Sequence, residues 1–261
     1  MQHYELLLFF FAIAAIYASV GFGGGSSYIA VLALYGLGVK EVKLTALICN
    51  IIVVSGGLWL FVQHQQLNWR KSLPWVIASV PMTFLGATMK ISEHVYFILL
   101  GCTLIIAGIL LWLDNRAQDA SIANTIDNQQ STNNNSTLFY SLLGGGSIGL
   151  LSGMVGLGGG VFLSPILNLR HWDTSKRIAA TASLFIFANS IAGIAGQYST
   201  RPDTLNYMQI LCLGGAVLFG GQLGSRWSIY QFNLLTIKRL TALLVLFAAG
   251  EILWKHLFNA I

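Results

Sequence analysis

The stretch Val20-Gly21-Phe22-Gly23-Gly24-Gly25-Ser26-Ser27 interrupts a long apolar run, and Val155-Gly156-Leu157-Gly158-Gly159-Gly160-Val161-Phe162 interrupts another in the same way. The two glycine clusters stand 135 residues apart in a chain of 261. Each half therefore carries one copy at nearly the same place. A hydrophobic segment broken at corresponding positions of two halves points to a transporter built from internal repeats, with its site at the breaks.

Composition sets the class. Apolar residues make up 55% of the chain and charged residues 9%, against roughly 25% charged in an ordinary soluble domain. That is too little charge to cover a water-facing surface, so the expected fold is an all-α, multi-pass membrane protein with the lipid bilayer as its surroundings. The net charge of +5 would suggest nucleic acid in a soluble chain. Here the basic residues fall between apolar runs, where they serve as flanking anchors and topology signals, and no nucleic-acid partner is expected. Cys49, Cys102 and Cys212 lie singly inside apolar segments and read as buried small hydrophobes, with neither a metal nor a disulfide framework. Residues 4–20 lack a basic start and lead into no polar domain, so they read as a retained membrane segment.

Apolar segments cover 4–20, 26–38, 44–62, 73–89 and 95–113, then 138–155, 161–169, 178–196, 206–225 and 240–257. A crossing needs about 20 apolar residues at a 1.5 Å rise. Segments 26–38 and 161–169 fall short, and each directly follows a glycine cluster. The duplication continues beyond the clusters, with Thr45-Ala46 against Thr181-Ala182, Gly57 against Gly193, and Leu85-Gly86 against Leu223-Gly224. Residues 1–113 and 138–261 are thus two repeats. The polar stretch 114–137, rich in Asn, Gln, Ser and Thr, reads as a disordered linker.

If each broken segment dips in and returns, three further helices per half make the repeats inverted; a single crossing would make them parallel. Some 35 residues is long for one crossing, which favours the first. On that topology nine basic residues collect on the linker side and five on the other, placing the linker in the cytoplasm.

A helix that starts after a glycine run leaves its first N–H groups unpaired, and these donors with the positive end of the helix dipole suit an anion. The candidate site residues are Gly23, Gly24 and Gly25 with Ser26, and Gly158, Gly159 and Gly160 with no matching serine. The plainer alternative is close helix packing, which fits Gly144, Gly145 and Gly146. Asn50 and Asn189 lie inside apolar helices, where an amide either donates to an anion or bonds a neighbouring helix. Thr181 joins them as a candidate, although Thr45, Thr181 and Ser183 more often bond the preceding turn. Of nine carboxylates only Glu251 falls inside a helix, one turn before Lys255. Cation sites and proton relays in membranes rest on buried carboxylates, so an anion site of backbone donors gains. There is no HExxH, GxSxG or Walker lysine, and no enzyme, cofactor or metal is expected.

The pair GFGGG and GLGGG, the Leu44-Thr45-Ala46 and Ala180-Thr181-Ala182-Ser183 elements, and the late Gly221-Gln222-Leu223-Gly224-Ser225-Arg226 together resemble the sulfite exporter TauE/SafE family, also called the toluene sulfonate uptake permease family. The resemblance covers nearly everything but the linker. It implies an inner-membrane permease of about eight transmembrane helices in two related halves that moves small sulfur-containing anions such as sulfite or organosulfonates. It carries the glycine-break positions onto Gly23, Gly24, Gly25, Gly158, Gly159 and Gly160. The expected function is a secondary carrier of a small anionic substrate. A passive anion channel and a non-transporting assembly factor are the alternatives, and the sequence leaves a homo-oligomer open.

Overall fold

The computed structural model describes residues 5–20, 22–113, 134–198, 207–227 and 234–257. They form ten α-helices with, among the described residues, no strand. The first half holds α1 (Glu5–Val20), α2 (Gly25–Leu34), α3 (Val39–Gln63), α4 (Trp69–Thr88) and α5 (Glu93–Leu113). The second holds α6 (Asn134–Val155), α7 (Gly160–Leu169), α8 (Ser175–Gln197), α9 (Tyr207–Trp227) and α10 (Leu234–Leu257). Helix α6 begins at Asn134, inside the stretch expected as linker; residues 114–133 lie outside the described ones.

Both glycine clusters break the helix by the same backbone device. Gly24 has φ 79° and Gly159 has φ 81°, each immediately before a ten-residue helix. In that left-handed region a Cβ crowds the following carbonyl, so glycine is the residue that enters it freely. The short helices also end alike. The Leu37 and Trp172 N–H groups donate back to the Leu32 and Leu167 carbonyls, with Gly36 and His171 at φ 74° and 53° between them. Gly38 and Thr174 then start α3 and α8 from the same extended backbone, at ψ 144° and 149°.

Each broken segment doubles back. In the first half Tyr17 Oη lies 2.6 Å from Ser27 Oγ near the break, Phe10 stacks on Tyr28, and Tyr35 Oη donates to Glu5 Oε2 at the open end. These contacts make α1 and α2 an antiparallel hairpin. In the second half the Arg170 guanidinium lies 5.4 Å from the Tyr140 ring centroid, closing the open end of α6 and α7. Residues 5 and 35 shifted by 135 are residues 140 and 170. The same two positions close both hairpins with different chemistry.

Packing between elements is also reproduced when the halves are exchanged. Helix α4 packs along α6 as α1 packs along α9, α4 meets α8 as α3 meets α9, and α5–α10 and α3–α8 pair across the halves. The closest of these contacts run along glycine stripes. A methyl group at Gly145 or Gly149 would lie 2.5 Å from the backbone carbonyl oxygen of Trp75 or Ser79, and one at Gly153 would collide with that of Thr83. Glycines 220 and 224 bring α9 as close to the backbone of α1, at Phe11 and Ala15. Small residues let helices approach where lipid supplies no hydrophobic drive between them, the packing role expected for Gly145.

Among the described residues five helices are long and apolar enough to cross a membrane: α3, α5, α6, α8 and α9. The 16-residue α1 spans about 24 Å, and α2 and α7 only about 15 Å each, at 1.5 Å per residue. Many large apolar side chains stay on the outside, Leu8, Trp59, Leu211, Phe219 and Phe247 among them. So broad an apolar exterior suits lipid and not water. It also corrects the reading of the cysteines: Cys49 alone is buried, while Cys102 is exposed on α5. An apolar residue of a lipid-facing helix has no need of a protein core.

Candidate functional site between the helix breaks

The two breaks meet. A methyl group at Gly25 would lie 2.9 Å from the Leu157 carbonyl oxygen and would collide with Asn50 Nδ2. One at Gly23 would lie 2.5 Å from Asn50 Oδ1, and one at Gly158 would lie 3.0 Å from Asn50 Nδ2. The Asn50 amide, 0% exposed, therefore sits in the angle between both glycine runs. Its Nδ2 donates a long 3.4 Å hydrogen bond to the Leu157 carbonyl, and its Oδ1 has no partner. The absence of side chains at Gly23, Gly25 and Gly158 makes room for this amide.

Ile186 of α8 mirrors Asn50 of α3, 136 residues on. Methyl groups at Gly23 and Gly158 would come within 3.2 Å and 3.1 Å of Ile186 Cγ2, and one at Gly160 would collide with the same side chain. One wall of the meeting point is thus an amide and the opposite wall a branched hydrocarbon. Ser190, one turn along α8 from Ile186, is 0% exposed, and its Oγ would lie 3.3 Å from a methyl at Gly158. Its hydroxyl has no partner either. Buried polar atoms without partners are uncommon, and each needs a reason.

The other expected residues lie close by in different settings. Asn189 Oδ1 accepts from Ser79 Oγ of α4 at 2.8 Å, leaving Asn189 Nδ2 unpartnered. Thr181 Oγ1 donates to the Arg177 carbonyl in the preceding turn and lies 2.8 Å from Ser72 Oγ. Ser26 faces the interior of the first hairpin, 3.3 Å from Tyr17 Oη. Gly24 and Gly159 lie against aromatic rings, those of Tyr28 and Phe185. The structure gathers Gly23, Gly25, Asn50, Gly158 and Gly160 at one point, with Ser190 beside them. Asn189 and Thr181 belong to a polar seam between α8 and α4.

Sequence reasoning did not find Ser190, Ser79 or Ser72. A signal existed: Ser72 and Ser79 share one face of α4 at a spacing of seven, and Ser190 follows an asparagine already singled out.

No side chain caps α2 or α7, since Gly24 and Gly159 hold the capping positions. Each helix start carries about half an elementary positive charge on its unpaired N–H groups. Asp173 is the only buried carboxylate among the described residues. It is held by Lys71 and Arg177 at 3.5 Å each, and its Oδ1 accepts from the Thr174 N–H. The junction of the two breaks thus offers backbone and amide donors with the positive ends of two helices.

The family model for Sulfite exporter TauE/SafE matches residues 6–252. The chain belongs to the sulfite exporter TauE/SafE family. A relative in Sinorhizobium fredii (strain NBRC 101917 / NGR234), described as "Probable membrane transporter protein y4hK", is 31% identical over 252 residues, covering 95% of this chain and 97% of its own. No solved structure matches the chain. Membership of the TauE/SafE family and the relative make the chain a membrane transporter, as the broken and duplicated apolar segments imply.

Proposed function

We propose that this TauE/SafE member is a secondary carrier for a small sulfur-containing oxyanion, such as sulfite or an organosulfonate, bound where the two glycine breaks meet. The observation that carries the reading is that two uncapped helix starts meet around the buried Asn50 amide, whose Nδ2 makes one long bond, to Leu157, and beside the unpartnered Ser190 hydroxyl. The N–H groups at the starts of α2 and α7, the Asn50 amide and the Ser190 hydroxyl supply the donors, and Asn189 Nδ2 adds one from the α4 side. Gly24 and Gly159 set the backbone that aims the helix starts.

Topology follows from the hairpins. With α1–α2 and α6–α7 read as hairpins that return to the side they enter, and α4 and α10 taken as crossings alongside α3, α5, α8 and α9, each half makes three crossings and the repeats are inverted. Positive residues then put the linker in the cytoplasm of a bacterial inner membrane. Expelling a monovalent anion from a negative interior is favoured by about 2.3 kcal/mol per 100 mV. Export can therefore run without a coupling ion, which fits a core poor in carboxylates.

The test is a panel of sulfite, thiosulfate, sulfoacetate and sulfate fluxes in proteoliposomes under imposed voltage. Saturable, voltage-driven flux of at least one sulfur oxyanion, with counterflow, is expected. A very high unitary flux without saturation would mean a channel, and no anion flux at any voltage would reject transport of these substrates.

A further inference from the structure

The cation best placed to act on the substrate stands on the same face of α3 as Asn50. Lys43 lies two turns before Asn50, so the two side chains leave the helix within about 20° of one another and about 10 Å apart along its axis. Both look onto the second break. A methyl group at Gly156 would be 3.0 Å from Lys43 Cγ, just as one at Gly158 would be 3.0 Å from Asn50 Nδ2.

Lys43 is 8% exposed, an unusual position for a lysine. Its Nζ lies 4.5 Å from the centroid of the Tyr96 ring, and Tyr96 Oη in turn donates to the Val155 carbonyl at the end of α6. Among the described residues its ammonium has no carboxylate partner, in contrast to Lys71, which pairs with buried Asp173. A buried charge in a membrane is costly to keep and is normally paired. The repeat equivalent at an offset of 136 is Ala179, so packing of the fold does not require a long side chain there.

Within the carrier reading above, we infer that Lys43 is a second, cationic station for the substrate, binding the anion between Asn50 and the membrane face opposite the linker. An aromatic ring holds the ammonium in place while leaving its N–H donors free for a passing oxyanion. A carboxylate partner would fix the lysine and cancel its charge. Lys43 would thereby also select for charge, because a neutral solute gains nothing from it.

The inference is tested by saturation kinetics of sulfite flux in proteoliposomes. Lys43→Met keeps the apolar stem and removes the charge. It should raise KM about ten- to hundredfold, the worth of one hydrogen bond to a charged group, with the maximal rate much less affected. Lys43→Arg should restore KM to near the parental value, which a purely steric role would not do. Lys43→Gln gives a second neutral variant should the methionine form fail to insert. An unchanged KM in a neutral variant that inserts, with an active parent, would overturn the role of Lys43 and leave the carrier reading intact. Absence of flux in the parent protein would overturn the carrier reading itself.

Discussion

Asn50 and Ile186 occupy the same place in their respective halves, and each touches both glycine breaks, yet one is an amide and the other a hydrocarbon. The seams behind them differ in the opposite sense, polar behind Ile186 and apolar behind Asn50. Between α4 and α8, Ser72 meets Thr181 and Ser79 meets Asn189. Between α3 and α9, Ile52 and Val53 lie against Gly214 and Gly221, with Gln222 reaching Gly56 beyond them. Backbone conformation is preserved at the helix starts, where glycines 24 and 159 are both left-handed, although Gly158 is left-handed too and its counterpart Gly23 is not. Side-chain chemistry is not preserved. The geometry of a broken helix depends on main-chain angles that only glycine tolerates well, so both copies must keep it. A single substrate at the junction needs only one set of polar groups, so the second set is free to change.

The largest effect is expected where the two halves touch. Gly25→Val places a branched side chain into the Asn50 amide and the Leu157 carbonyl, and should abolish transport while the protein still inserts. Flux above one tenth of the parental value would show that the breaks need not approach this closely. Next, Gly24→Ala and Gly159→Ala force a Cβ into the left-handed region at about 1–2 kcal/mol each. Both should lower the melting temperature in detergent to a similar extent and reduce flux. A loss confined to one of them would break the equivalence of the two helix starts.

Exchanging the chemistry of the two walls sharpens the comparison further. Asn50→Leu should remove substrate binding, whereas Ile186→Val, which removes one methylene from a packed position, should cost about 0.5–1.5 kcal/mol of stability and leave binding nearly intact. Equal loss of binding in both would deny the asymmetry. The smallest effect is expected for Ser72→Ala. Thr181 keeps its bond to the Arg177 carbonyl, so stability should fall by about 1 kcal/mol or less. Ser190→Ala, by contrast, should weaken substrate affinity measurably at little cost in stability. A reversal of the two would move the site from the breaks to the α4–α8 seam.

Much of this was legible before the structure. Glycine clusters report backbone breaks because few other residues tolerate a positive φ, and the short following runs gave α2 and α7 to within a few residues. The near-constant offset of 135 to 138 exposed the duplication. Asn50 was legible because an amide is conspicuous in an apolar helix. What stayed hidden depends on which way a helix faces. Ser26 was expected at the site by its place after the glycines, but it turns toward Tyr17 because α1 returns alongside α2. Lys43 read as a topology signal, since nothing in its neighbourhood reveals that Tyr96, more than 50 residues later, would cover it. Asp173 lies in the sequence between two apolar segments, with no sign that the fold buries it between Lys71 and Arg177. Ile186 carried no signal at all, because its importance lies in being the counterpart of Asn50.

The central claim is that two glycine breaks build one shared site. It is tested most directly by equilibrium binding of radiolabelled sulfite to purified protein, comparing the parent with Gly25→Val and Gly158→Val, one change in each break. A single saturable site per chain, lost completely in either variant while both remain folded and monodisperse, is the predicted result. Half of the binding surviving in each variant would mean two independent sites, and would contradict the account.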